Sequence, residues 1–157
     1  MIELVPMNTQ QFVAFRELSM RDYAAEKIQS GDWSKEEAPE LAEQSFQRYL
    51  PQGLETQGAY IYHMYRQGSS DEPLGHLWVN VDDAPAGKLA FIYDILIYEA
   101  FQNQGYGQQT MQALEQEMRQ QQVQRIGLHV FGHNDRAVHV YQKSGYVITD
   151  YTMAKLL

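Results

Sequence analysis

Residues 101–110 read FQNQGYGQQT, with Gly105 and Gly107 one residue apart. Glycine loses more freedom on ordering than any other residue, so two of them at one place need a reason. The residues before them, LAFIYDILIY (89–98), are apolar, β-branched and aromatic, as a largely buried strand requires. After them Met111, Leu114 and Met118 recur at three- and four-residue spacing among Gln, Glu and Arg, the stripe of an amphipathic helix. Strand, glycine turn and helix N-terminus together make an anion site, because unpaired backbone N–H groups meet the positive end of the helix dipole there. Those N–H groups belong to Asn103, Gln104, Gly105, Tyr106, Gly107 and Gln108. A dinucleotide turn would want a third glycine where Thr110 stands, and a P-loop would continue as Gly-Lys-Ser or Gly-Lys-Thr, which this turn does not. The bland alternative is that the glycines only let a helix pack closely on a sheet.

Two further places carry chemistry. Asp94 interrupts the apolar strand, where a carboxylate must find polar partners or keep its proton, and either suits a base acting directly or through water. Its alternative is a carboxylate satisfied by backbone or tyrosine hydroxyls. The stretch FGHNDRAVHVYQKSGY (131–146) offers Asn134 as a helix cap and Tyr141 as a phenol, which on its own reads equally as a core aromatic.

Gln102-x-x-Gly105-x-Gly107 on a strand-to-helix turn resembles the acyl-CoA-binding motif of the GCN5-related N-acetyltransferase (GNAT) superfamily. Residues 131–146 resemble that family's second signature, with Asn134, Ala137, Tyr141, Gly145 and Tyr146 in place, and IYDILIYEAFQ resembles the strand leading into the turn. The resemblance covers roughly residues 89–150. It implies acetyl transfer from acetyl-CoA, as co-substrate, to a primary amine by direct attack in a ternary complex. Cofactor contacts would come from Ile95, Leu96 and Ile97, where the fourth strand splays from the fifth at a bulge, and from Gln102 and the turn through Gln108. Asn134 and Ala137 would serve the pantetheine arm. A main-chain N–H near Leu96 would polarise the thioester carbonyl, and Tyr141 would protonate the departing sulfur. A glutamate used as base in some members would fall at Phe91, which leaves Asp94 as the candidate base. Two other readings share the fold: a non-catalytic acyl-CoA-binding module and an acyl-CoA hydrolase. Many members dimerise, so a homodimer is an expectation of the same kind.

The remaining elements must position these residues. IELVPM predicts a short strand, and Asn8 or Thr9 caps a helix carrying Phe12, Phe15, Leu18 and Tyr23. Ser34 and Glu37 form a capping box before a helix that ends at Pro51. GAYIYHMYR, LGHLWVNV and KLAFIYDILIY then alternate as strands of an antiparallel meander, separated by turn-rich connections. RIGLHVF (125–131) predicts the strand after the glycine helix, completing a βαβ crossover, and Asn134 or Asp135 starts a last helix. YVITDYTMAKL is expected to return as a final strand. The expected fold is α/β of the GNAT type, with a mixed central sheet, antiparallel meander plus parallel crossover, and helices on both faces.

At 157 residues the chain is expected to form one domain, residues 1–157. A formal net charge of -8 argues against nucleic acid and anionic lipid as partners. Without a signal-like or membrane-spanning run, the cytoplasm is the expected location. No cysteine is present, which removes thiol chemistry. His129 and His133 span a strand end and a loop rather than one helix face, so no metal site is expected, and His129 reads as structural. Trp33, Tyr49 and Trp78 are candidate walls of an acceptor pocket, as are His63 and His76, although nothing in the sequence selects either histidine.

Overall fold

Local sequence sets where the helices begin. In the computed structural model, which describes residues 1–157, Asn8 and Gln11 exchange side-chain to backbone bonds of 2.8 and 2.9 Å and so open α1 (Thr9–Gln29). Ser34 and Glu37 exchange the equivalent pair ahead of α2 (Ala38–Tyr49). Asn134 accepts from the Ala137 N–H at 3.2 Å and caps α4 (Asp135–Lys143). By contrast, α3 (Tyr106–Gln120) starts at Gly105 with no side-chain cap and no acidic residue in its first turn.

The strands β1 (Ile2–Pro6), β2 (Ala59–Arg66), β3 (Gly75–Ala84), β4 (Gly87–Ile97) and β5 (Val123–Leu128) lie side by side in chain order. The first four are antiparallel neighbours; β5 runs parallel to β4, joined to it through α3. Two irregularities shape the centre. Between the pairs Trp78↔Asp94 and Val79↔Ile92, Tyr93 is an extra residue on β4, a bulge that re-aims the residues after it. The β4–β5 ladder then stops at Ile92↔Leu128, so residues 93–97 have no partner on that side. The strands diverge ahead of Ile95–Ile97, where the resemblance implies a splay.

Helices cover both faces. Leu77, Val79 and Ile92 pack with Met111, Leu114 and Met118 of α3, while Trp78 packs with Phe15 of α1 and Phe46 of α2 on the other side. The three α3 anchors are at most 1% exposed, each contributing about 1.5–3 kcal/mol by leaving water. No helix is long and apolar enough to cross a membrane.

Two expectations are corrected. The strand predicted over 125–131 occupies Val123–Leu128, because the divergence from β4 ends its ladder. Residues 146–157 form no strand: Val147 is 80% and Met153 92% exposed. Their strand propensity is intact, but a strand exists only with a partner, and after Gly145, at φ 92°, the chain runs clear of the sheet.

Candidate active site

The divergence of β4 from β5 opens a cavity of about 490 Å³. Asp94, Ile95 and Leu96 line it from β4, residues 128–131 from the end of β5, Asn134 and Tyr141 from the α4 side, and Ser19, Asp22 and Glu26 from α1. Sequence-nominated residues from three separate segments thus meet. Ile97, residues 102–108 and Ala137 are not part of this wall. They are tied to it: the Gln102 side-chain N–H donates to the Ile97 carbonyl at 2.9 Å, and its oxygen accepts from Arg136 of α4 at 2.8 Å.

The two glycines have different reasons. Gly105 adopts φ 81°, ψ 4°, a left-handed conformation that side chains penalise, and its Cα faces open space. A Cβ on Gly107 would lie 3.4 Å from Val140, at ordinary van der Waals contact, so α4 packs directly over this position. With Asn103 also left-handed at φ 61°, the turn delivers an uncapped helix start whose N–H groups on Tyr106, Gly107 and Gln108 have no intrahelical acceptor.

Asp94 has the partners a carboxylate in an apolar strand needs. His76 Nε2 stands 2.8 Å from its Oδ2, and the Ser19 hydroxyl donates to the same oxygen. Oδ1 accepts nothing from the protein, although the side chain is 26% exposed at the cavity. His76 is completely buried, edge-on to Phe15 at 4.9 Å and to Tyr98 at 5.8 Å, which fixes its ring. Tyr141 shares the cavity. Burial, with the Asp94 charge adding to it, pushes its phenol up to about 12, so it holds its proton at neutral pH.

The walls around this pair are acidic and aromatic. Burial above all raises the Asp22 carboxyl, with Asp94 and Glu26 adding to it against Arg21 and His76. Glu26 pairs with His133. Lys27, also on the wall, is held 3.4 Å from Asp32 and over the rings of Tyr23 and Trp33. Trp78 stacks on Tyr93 at 4.7 Å, and Tyr49 meets Tyr93 at 5.0 Å.

Tyr49 and Trp78 therefore line the cavity, whereas Trp33 lies behind Tyr23. His63 is absent from the wall. His129 is corrected from a structural strand residue to an exposed one on the cavity rim, since β5 ends before it. Sequence reasoning also missed Ser19 and the role of His76. A serine four residues after Phe15, on the buried stripe of α1, was the available signal for the first. Nothing local announces the second.

Comparison with known proteins agrees with this architecture. Residues 13–146 match the model of the Acetyltransferase (GNAT) family. The uncharacterized N-acetyltransferase YdgE of Bacillus subtilis (strain 168) is 37% identical over 98% of this chain and 97% of its own. YycN of the same organism, also an uncharacterized N-acetyltransferase, is 35% identical over 99% of both. The crystal structure of YycN superposes with a TM-score of 0.95 over 100% of this chain and 99% of its own. A predicted acetyltransferase from Clostridium acetobutylicum, solved with acetyl-CoA, shares the fold at a TM-score of 0.67 and 15% identity, over 99% of this chain and 96% of its own. Fold, motif and relatives converge: the chain belongs to the GNAT family of acetyltransferases.

Proposed function

We propose that the protein transfers the acetyl group of acetyl-CoA to a primary amine that carries a second positive charge. The observation that carries this reading is Asp94, fixed through Oδ2 and open at Oδ1, in one cavity with a protonated Tyr141 and the carboxylates of Asp22 and Glu26.

The residues present suit acetyl-CoA. The uncapped N–H groups at the start of α3 match a pyrophosphate, and the unpaired edge of residues 95–97 matches the amides of a pantetheine arm, with Asn134 and Ala137 on the facing segment. Because the Leu96 carbonyl lies against Gly75 of β3, Ile95 and Ile97 direct their backbone groups the other way. The Ile97 carbonyl already accepts from Gln102, so Ile95 offers the freer pair.

An alkylamine is cationic at neutral pH and must lose a proton before it attacks. Asp94 Oδ1 receives it, directly or through water; the N–C bond forms and the C–S bond breaks. Tyr141 offers its O–H to the sulfur as charge builds there. Complete transfer from a phenol at about 12 to a thiolate with an ordinary value of ~8.5 is uphill by about 3.5 pH units, so its main contribution is a hydrogen bond made in the transition state. The attacking nitrogen loses a second proton as it becomes the amide, and water relays that proton to the thiolate while Asp94 returns the first to solvent.

Acid and aromatic rings together favour a cation over a neutral chain. A linear diamine and the amino alcohol of equal length separate the possibilities. The diamine should show the lower KM, and Asp22→Asn should raise it by about fivefold for the diamine only, on the order of 1 kcal/mol for a half-exposed charge. Equal KM values for the two acceptors, unchanged by the substitution, would overturn the assignment of acceptor class.

A further inference from the structure

Three buried side-chain polar atoms make no hydrogen bond within the protein: Nδ1 of His63, Nδ1 of His76 and the Tyr146 hydroxyl. A buried polar atom gives up its hydration and calls for a partner in exchange. The two histidines are neighbours. His63 of β2 stands opposite His76 of β3 in the antiparallel ladder, so both rings project from one face of the sheet, with Cβ atoms about 4.5–5.5 Å apart. Even so, no hydrogen bond joins their Nδ1 atoms directly.

The protons on the two rings explain why. His76 turns Nε2 to Oδ2 of Asp94, and an ionised carboxylate only accepts, so Nε2 carries a proton. In a neutral ring Nδ1 then holds a lone pair. Burial above all, and the neighbouring His76, lower the pKa of His63, so its ring is neutral at neutral pH. Its Nε2 is not among the buried unpartnered atoms and can carry the one proton, which leaves a lone pair on Nδ1 here as well. Two lone pairs cannot bond to each other, whereas one water donates an O–H to each. The titratable groups around the pair are Asp94 of β4, Tyr98 just beyond it, Asp22 of α1 and Tyr65 of β2; the residue opposite His63 on β1 is Val5. None of them donates to either Nδ1.

We propose that His63 positions the base from the neighbouring strand: a water held between the two Nδ1 atoms, donating to both, locks His76 as the Nε2–H tautomer that donates to Asp94. While Asp94 is ionised, its own charge holds the Nε2 proton in place. Once Oδ1 has taken the amine proton that attraction is gone, and the water keeps the proton of His76 from moving to Nδ1. Oδ2 thereby retains both donors through turnover, and Asp94 releases its proton from an unchanged rotamer. His63 lies outside the cavity wall, so it acts only through His76. The lock rests on Asp94 being the base proposed for amine transfer.

Nitrogen NMR of the labelled full chain, with no substrate present, reads the tautomers, and His63→Phe and His76→Gln assign the signals. The wild type should show His76 with N–H at Nε2 and an unprotonated Nδ1 that accepts a hydrogen bond. In His63→Phe that hydrogen-bond signature should be lost. The same variant keeps a ring and should lower kcat about fivefold, the effect of one hydrogen bond, with the KM for acetyl-CoA unchanged and the ascending limb of kcat moved to higher pH. His63→Asn returns an acceptor close to the place of Nδ1 and should recover most of both. A proton on Nδ1 of His76 in the wild type overturns the proposal. So does an unaltered Nδ1 signal in His63→Phe, and so do equal kinetic losses in His63→Phe and His63→Asn, which would assign His63 to packing alone. Asp94→Asn at full kcat would instead overturn the choice of base, and with it the catalytic purpose of the lock, while the spectra still report the lock itself.

Discussion

Completely buried, His76 on β3 places Nε2 2.8 Å from Oδ2 of Asp94 on β4 and leaves the other carboxylate oxygen to the cavity. Two donors on one oxygen fix the carboxylate in a single rotamer. Held this way, Asp94 would lose little freedom on taking a proton from an amine, the role proposed for it.

Removing the carboxylate and removing its support should therefore differ. Asp94→Asn is expected to lower kcat by about 10²–10⁴-fold. His76→Ala should cost about tenfold in kcat with little change in the KM for acetyl-CoA, and also lower stability by roughly 2–4 kcal/mol through the cavity it leaves. His76→Gln restores a donor and should recover part of kcat. Steady-state kinetics with both substrates varied separates the two effects; equal loss in His76→Gln and His76→Ala would assign His76 to packing alone.

Tyr141→Phe removes the O–H while keeping the ring. An expected loss of about 10²-fold in kcat should leave acetyl-CoA affinity by calorimetry unchanged. The protonated phenol is the useful form, and its pKa is raised to about 12, so its contribution persists through neutral and mildly alkaline pH and is lost only as pH rises through about 12. A descending limb near pH 8 that disappears in Tyr141→Phe would contradict this.

Gly105→Ala tests the turn. Space is available for the methyl group, but φ 81° is not a conformation alanine favours, so a cost of about 1–2 kcal/mol is expected, seen as a Tm several degrees lower. Coenzyme A affinity should fall as the N–H groups lose their alignment. Unchanged Tm and affinity would mean the turn accommodates a side chain freely.

Stability should depend on pH through Asp22. Its folded-state pKa is raised, so the folded protein binds that proton more tightly than the unfolded chain does. The penalty is absent at low pH and appears as pH rises above the unfolded value of about 3.9. Asp22→Asn should accordingly gain Tm relative to wild type between pH 4 and pH 7, by a small amount because the side chain is 50% exposed. Thermal melts across that window check the sign; a relative loss of Tm with rising pH would reverse it.

Signals that depend on neighbours in sequence were legible. Asn8, Ser34 with Glu37, and Asn134 announced helix starts, the spacing of Met111, Leu114 and Met118 announced the buried face of α3, and the glycine turn announced α3's exposed start. Asp94 stood out because it breaks an apolar run. Its fixing by His76 and Ser19 did not, since both contacts join residues 18 and 75 positions apart and depend on register and a bulge. The final strand misled for a related reason: propensity is local, whereas a ladder needs a second strand within reach.

The central claim is amine-dependent acetyl transfer, and release of the coenzyme A thiol reads it directly. With no cysteine in the chain, a thiol reagent reports only the product. Thiol should appear only when a diamine is added, saturate with its concentration, match acetylated amine one for one by mass spectrometry, and slow about 10²-fold in Tyr141→Phe. Thiol released equally without amine would make the protein a hydrolase, and no release with any amine despite bound acetyl-CoA would make it a binding module; either result contradicts the account.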